Sequence, residues 1–284
     1  MKIGLTIFPT QATLQPAELA REAEARGFES LWLPEHSHIP VDQKTPWGGR
    51  TEGGVTPSIY AEIYEPFIAL AAAASVTKRI LLGTSVCLVP QRDPLWLAKQ
   101  VATIDRISQG RFLFGIGYGW NREELENHRI AYRERREILA EAIRSMQRIW
   151  TDDEATYSGE YVRFSQMRSW PKPVQRPHPP IVLGAEAGPR TAAHIAEFCD
   201  GWIPSATPDV IDLVTRGQAE ISQACVRVGR DPATVETSVW SVKADRGALD
   251  QLAGLGVQRV ILRLPSKDPG AVLSALDRYS MLLS

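Results

Sequence analysis

The chain has little of what would direct a protein to a partner by charge or to a bilayer by hydrophobicity. Its 32 Lys and Arg stand against 33 Asp and Glu, a formal charge of −1, and the basic residues are scattered rather than gathered in a patch. That removes the electrostatic footprint which nucleic acid or an anionic membrane surface requires. No stretch approaches the ~20 consecutive apolar residues of a membrane span, so no membrane partner is expected either. Cysteine is scarce: Cys87, Cys199 and Cys225 are an odd number, without paired spacing, each in an apolar segment, which reads as buried thiols rather than disulfides or ligands. His178 and His194 show no ligand spacing with any Cys, Asp or Glu cluster, so no metal is assigned. A G-x-S-x-G elbow, a Walker loop and a Cys–His pair are all absent, which leaves hydrolase and kinase chemistry without a carrier. Met1-Lys2-Ile3-Gly4-Leu5-Thr6 enters a strand-like run directly, from which a cytoplasmic location is expected.

What is present is a repeating pattern. The 284 residues are 44% hydrophobic and 23% charged, enough apolar material for one large core under a soluble surface. Short β-branched or aliphatic runs recur at residues 3–8, 30–33, 80–88, 112–116, 181–183, 201–203, 237–242 and 259–263. Each is followed by a turn and an amphipathic stretch, the signature of βα units on a parallel sheet. Eight such units in ~250 residues predict one catalytic domain over residues 1–284, a (β/α)8 TIM barrel. Proline opens six of the following segments, at Pro16, Pro66, Pro94, Pro189, Pro208 and Pro269, where the missing N–H costs nothing. Asp93, Thr207 and Asp268 stand before three of them as candidate N-caps.

Two connections are longer than plain βα loops, giving insertions after strands 2 and 4. Residues 37–65 carry Pro46, Trp47, Gly48, Gly49, Gly53, Gly54, Pro57, Tyr60 and Tyr64, an aromatic-bearing excursion at the end of strand 2. That is the end of a barrel where active sites lie. Trp47 is a candidate to pack over a substrate, in a pocket of aromatic, apolar character. Residues 121–180 should open with one long helix to about Trp150, carrying His128 as a surface residue, and close with a proline-rich cover segment leading into strand 5.

Four segments carry a family resemblance. They are Gly27-Phe28-Glu29-Ser30-Leu31-Trp32-Leu33-Pro34-Glu35-His36, then Gly83-Thr84-Ser85-Val86-Cys87-Leu88-Val89-Pro90-Gln91-Arg92-Asp93-Pro94, then Gly110-Arg111-Phe112-Leu113-Phe114-Gly115-Ile116-Gly117-Tyr118-Gly119-Trp120, and Gly184 through Arg190 with Asp200-Gly201-Trp202. In this order and at barrel spacing they resemble the luciferase-like monooxygenase superfamily, coenzyme F420-dependent branch. The resemblance implies hydride transfer between the deazaflavin F420 and a small organic substrate, in a homodimer. A reduced-FMN monooxygenase of the same fold and a non-catalytic F420 or flavin carrier are the alternatives.

The resemblance also assigns residues. His36, at the strand 2 exit, would abut the deazaflavin ring and give or take a proton near neutral pH, with Glu35, where the family more often has Asp, as the second catalytic candidate. Ser85 and Val86 match a non-proline cis peptide that backs the cofactor ring, and Tyr118 and Gly119 would touch the ring system through their backbone. The run Gly115, Gly117, Gly119 is not a dinucleotide fingerprint, because no glycine opens a helix there and no acidic partner follows ~20 residues on. The stretch Gly184-Ala185-Glu186-Ala187-Gly188-Pro189-Arg190-Thr191 does open a helix, whose free N–H groups and dipole favour an anion. Both FMN and F420 offer a phosphate, so Gly184, Gly188, Arg190 and Thr191 complete the cofactor set.

Overall fold

The computed structural model describes residues 1–49 and 54–283; Gly53 of the long second loop falls outside them. Eight parallel staves close into a barrel: β1 (Lys2–Thr6), β2 (Ser30–Leu33), β3 (Leu81–Thr84) continued by β4 (Cys87–Leu88), β5 (Phe112–Gly117), β8 (Ile181–Leu183), β9 (Gly201–Trp202), β10 (Glu236–Val242) and β11 (Arg259–Arg263). The order is β3-β2-β1-β11-β10-β9-β8-β5-β4, and pairing of β3 with β5 closes the ring. The (β/α)8 architecture read from the recurring runs is therefore the one formed.

Helices α1 (Pro16–Ala25), α2 (Pro66–Val76), α3 (Pro94–Ile107), α6 (Pro189–Phe198) and α9 (Pro269–Ser280) each begin on the expected proline, while α8 (Arg246–Gly254) has none. Asp93 and Asp268 cap as expected, accepting from the N–H of Trp96 and Ala271. The expectation at Pro208 is corrected: α7 (Val210–Arg227) starts two residues later behind Asp209, and Thr207 contributes only its carbonyl, to Val210 N at 3.1 Å.

The single long helix expected after strand 4 is also corrected. It is two, α4 (Arg122–Asn127) and α5 (Arg135–Thr151), separated at Arg129, whose φ is +63°. The tail beyond α5 contains an antiparallel hairpin, β6 (Ala155–Ser158) with β7 (Arg163–Met167). Residues 172–175 then run along α3 and the start of β5. There Lys172 Nζ donates to Ile149 O at 2.6 Å, and Asp105, fully buried on α3, accepts from the N–H of Val174 and Gln175.

Two apolar layers hold the barrel. Phe112, Phe114 and Ile116 of β5 belong to the large cluster shared with the helices, whereas Leu113 joins Trp32, Val182, Ile203 and Ile261 in a small separate cluster. This is the period-two alternation of a strand covered on both faces. Trp32 is fully buried, its indole donating to Ser30 Oγ at 2.8 Å. A Cβ on Gly83 would lie 2.3 Å from that ring, so one tryptophan fills space that branched side chains usually share.

Candidate active site

His36 follows β2 directly, and its ring is held from across the mouth. Nδ1 lies 2.8 Å from Glu124 Oε2, and the two side chains are only 6% and 1% exposed. Glu124 Oε1 accepts from Ser37 N at 2.9 Å. Helix α4 exists to place this carboxylate: Asn121 caps it, with Oδ1 accepting from Glu124 N at 3.1 Å. Burial alone would raise the Glu124 pKa, but the bonds to His36 and to the Ser37 amide outweigh it and hold the group below its ordinary range. A carboxylate accepting from Nδ1 orients the imidazole and leaves Nε2 as the ring nitrogen open to proton exchange.

Around His36 stands an aromatic wall. Tyr60 is 5.2 Å and Trp120 5.6 Å from the imidazole, ring centre to ring centre; Trp47 packs edge-on to Tyr60 at 6.2 Å, and Phe8 joins Tyr60 at 4.7 Å and Trp240 at 6.4 Å. Burial pushes the Tyr60 phenol up. The second loop thus lies over the strand 2 exit, as its position suggested. It is pinned there by α4, through Asn121 to Gln43 at 2.9 Å and Glu123 to the N–H groups of Lys44 and Thr45.

Glu35 does not share this chemistry. Its Oε2 accepts from Leu88 N at 2.8 Å and its Oε1 from Arg92 Nε at 2.7 Å, and Arg92 reaches on to Glu65. Both oxygens are engaged in tying the β2 exit to the chain beyond β3. The structure does not bring Glu35, the second catalytic candidate, to the imidazole: the acid that meets it is Glu124, 88 residues away.

The peptide between Ser85 and Val86 is cis, as the resemblance implied. Val86 wedges between two strand ends, where a Cβ on Gly117 would lie 2.3 Å and one on Gly184 2.5 Å from its methyl groups. Those two glycines are needed for the close approach. Ser85 Oγ is buried with no hydrogen-bond partner, and Thr6 Oγ1 and Trp240 Nε1 share that condition. A buried polar atom left unpaired is costly and calls for an explanation. Thr6 ends β1, Trp240 lies on β10 and Ser85 stands between β3 and β4, toward the C-terminal mouth, where a polar ring system would satisfy them.

The remaining cofactor candidates gather at α6. Gly188 precedes it without a side-chain cap, so the first N–H groups are free for an anion. Arg190 is exposed and unpaired among the described residues. Thr191 is buried, with its hydroxyl near the Tyr118 phenol but outside good hydrogen-bond geometry. The Tyr118 side chain points to the same helix, its hydroxyl 2.9 Å from His194 Nδ1, and burial pushes its pKa up to about 12. Gly119 turns the chain with φ +81°, its carbonyl accepting from Arg135 at 3.2 Å.

Residues 5–264 match the model of the luciferase-like monooxygenase family. The chain belongs to this family. Within it, an uncharacterized protein of Mycobacterium tuberculosis is 35% identical over the whole chain and 99% of its own length. An F420-dependent hydroxymycolic acid dehydrogenase of the same organism is 28% identical over 83% of this chain, which spans 61% of that protein. The fold is shared with the monooxygenase RslO1 from Streptomyces bottropensis, at a TM-score of 0.79 and 20% identity, covering 100% of this chain and 98% of that one. Glu124 and Phe8 escaped the sequence reading of this luciferase-like chain, and Trp120 entered it only as the end of a family segment, without a role. Only the Asn121-x-x-Glu124 spacing, a helix-start signal, marked any of them.

Proposed function

We propose that the chain is an oxidoreductase that moves a hydride between coenzyme F420 and a small alcohol or its carbonyl partner. The observation that carries this reading is the His36–Glu124 dyad beneath an aromatic wall at the barrel mouth. A residue poised to exchange one proton suits a substrate whose hydride-bearing carbon also carries oxygen, because the C–H leaves as hydride while the O–H must lose a proton. The F420-dependent relative and the fit of the mouth to a polar ring support the same choice. Bound there, the deazaflavin would supply the two-electron hydride chemistry that no side chain can. The protein's part is then to orient and to move a proton. Ser85 and Val86, with Tyr118 and Gly119, would hold the ring system; Gly184, Gly188, Arg190 and Thr191 would hold the phosphate; Trp47, Tyr60 and Trp120 would exclude water from the substrate; and His36 Nε2 would take the hydroxyl proton.

Equilibrium titration with F420 and with FMN, separately, followed by turnover of a panel of small alcohols, tests this. Expected is saturable F420 binding tighter than FMN binding, with reduction of the bound deazaflavin by at least one alcohol. Tighter binding of FMN would favour a monooxygenase, and F420 binding without turnover a carrier.

A further inference from the structure

His36 and Glu124 are almost sealed from solvent, yet a group that collects a proton in each turnover must release it. One polar chain leads out. Glu124 Oε1 lies 3.4 Å from Ser37 Oγ, which is 2.7 Å from His128 Nε2 and 2.8 Å from His38 Nδ1. The amide of Asn127 donates to His38 Nε2 at 2.8 Å. That bond makes Nε2 the acceptor of a neutral His38, whose proton then sits on Nδ1 and donates to Ser37 Oγ. The Ser37 hydroxyl proton is thereby left a choice of two acceptors, Glu124 inward and His128 outward. Glu123, the neighbouring acid, is occupied by the Lys44 and Thr45 amides, so Glu124 is the carboxylate in the chain.

We propose that Ser37 and His128 relay protons between the buried His36–Glu124 dyad and solvent, with His38 and Asn127 orienting the Ser37 hydroxyl. The inference rests on His36 being the proton-transfer residue of the proposed function. In alcohol oxidation the C–H pair leaves with both electrons as hydride to the deazaflavin, and the O–H proton moves to His36 Nε2. The Nδ1 proton passes to Glu124 Oε2. A half-turn of the carboxyl group presents that proton to Ser37 Oγ, which gives its own to His128 Nε2, and His128 yields it to water. One proton enters and one leaves, so Ser37 and Glu124 end as they began; His36 is left with its proton on Nε2, and it regains the Nδ1 tautomer when the steps run in reverse, Nε2 giving its proton to a carbonyl oxygen while Nδ1 takes one back through Glu124.

The test begins with cofactor-free protein and so does not depend on the cofactor assignment. Exchange of the His36 Nδ1 proton with water is followed by NMR on protein labelled with 15N in its imidazoles. Ser37→Ala keeps the main-chain amide that holds Glu124, so the His36 resonance should stay in place while its exchange slows about 100-fold or more, the lower range for removing a positioned proton-transfer group. Ser37→Thr, which restores a hydroxyl, should exchange as the wild type does, and His128→Phe should slow exchange like Ser37→Ala. Wild-type exchange in Ser37→Ala with an unmoved resonance, or no recovery in Ser37→Thr, overturns the relay. The second arm is the solvent isotope effect on single turnover of the holoenzyme. Several protons should contribute in the wild type and fewer in Ser37→Ala; equal contributions overturn the relay in turnover. Failure to bind F420 would refute the proposed function and leave the exchange result standing.

Discussion

The two ends of the barrel carry polar groups of the same kinds and treat them oppositely. At the N-terminal end a cavity of about 500 Å³ is lined by Lys2, Arg111, Asp200, Glu236 and Arg259 among others, and its charges are already spoken for. Arg111 donates to the carbonyls of Ala74, Thr77, Ile80 and Ser108 and to the Thr77 hydroxyl. Arg259, 4% exposed, joins Glu29 and Glu236, and Asp200 holds Ile181 N at 2.8 Å. At the C-terminal end Thr6, Ser85 and Trp240 keep buried polar atoms without partners. Concavity alone would nominate the saturated N-terminal end rather than the one on which the proposed function rests. Hydrogen-bonding capacity left unused marks the end that awaits a ligand, in line with the division of such barrels into a stabilising and a catalytic face.

The largest effect should come from breaking the saturated end. Arg259→Met would strip Glu29, whose side chain is 22% exposed, of its ion-pair partner and leave only the weaker influence of Lys2, and removing one partner of a buried pair costs about 3–5 kcal/mol. Denaturant unfolding should show that loss while turnover per folded molecule stays unchanged. A change in pH dependence accompanies it. Burial would raise the Glu29 pKa, but Arg259 overcomes this and holds it low. The pair therefore stabilises the wild type above the ordinary carboxylate pKa of ~4.3, and that contribution fades as pH falls through the depressed folded value. In the variant burial, the largest influence on Glu29, is opposed only by the smaller effects of Ser30 and Lys2, so the acid-induced loss of stability should shrink or reverse as pH drops toward that of a free carboxyl. A variant that loses stability in parallel with wild type on acidification would refute this account.

Next comes the open end. His36→Ala should lower turnover about 100-fold or more, the scale for deleting a general acid or base, with F420 affinity changed far less because the phosphate site we propose lies apart from it, at α6. Near-wild-type turnover would make the histidine structural, and Glu124 would then have no role in proton transfer either. Joint collapse of affinity and rate would make the residue chiefly a ring contact.

The same contrast explains what could be read in advance. The staves were legible because each is a short aliphatic run, closed by glycine or proline in every case but β10, and six prolines flagged helix starts, five of them at the first residue. The break between α4 and α5 was not, since residues 128–134 hold neither glycine nor proline and the turn uses Arg129 with positive φ. The β6–β7 hairpin was masked by the proline-rich tail that follows, and its strands are mostly exposed, so no apolar run announced them. His36 was visible from its place after strand 2. Its partner was not: the adjacent Glu35 is the natural local guess, and only the closure of the barrel brings Glu124 to it.

A smaller effect tests how the open end is shaped. Gly117→Ala would drive a Cβ into Val86 at 2.3 Å, and overpacking of this kind costs about 1–3 kcal/mol. Because Val86 sits at the mouth, the displacement should weaken F420 binding as well as stability. The equivalent change at Gly254, where an added Cβ meets nothing within 4 Å, should leave both unchanged. If Gly117→Ala proved neutral in both measurements, the packing of Val86 between Gly117 and Gly184 would not be what sets the shape of the mouth.

The smallest change in stability is the most informative, because it separates a ligand's hydrogen bond from a protein's. Ser85→Ala deletes a buried hydroxyl that has no partner in the free protein. Ordinarily removal of a buried polar group destabilises through the mate it abandons, by about 1–3 kcal/mol, whereas here there is no mate to abandon. The unfolding free energy should therefore move by less than about 0.5 kcal/mol, or rise slightly. Affinity should behave differently. If the bound cofactor satisfies that hydroxyl, losing a bond worth about 1 kcal/mol weakens F420 binding about 5-fold. Thr77→Ala at the saturated end should do the reverse, since its hydroxyl donates to Ala73 O at 2.8 Å and accepts from Arg111 at 3.0 Å: stability falls and affinity holds. Should Ser85→Ala destabilise by more than about 1 kcal/mol, the hydroxyl is paired within the free protein, and the unused valence at this end of the barrel is one group smaller than the comparison requires.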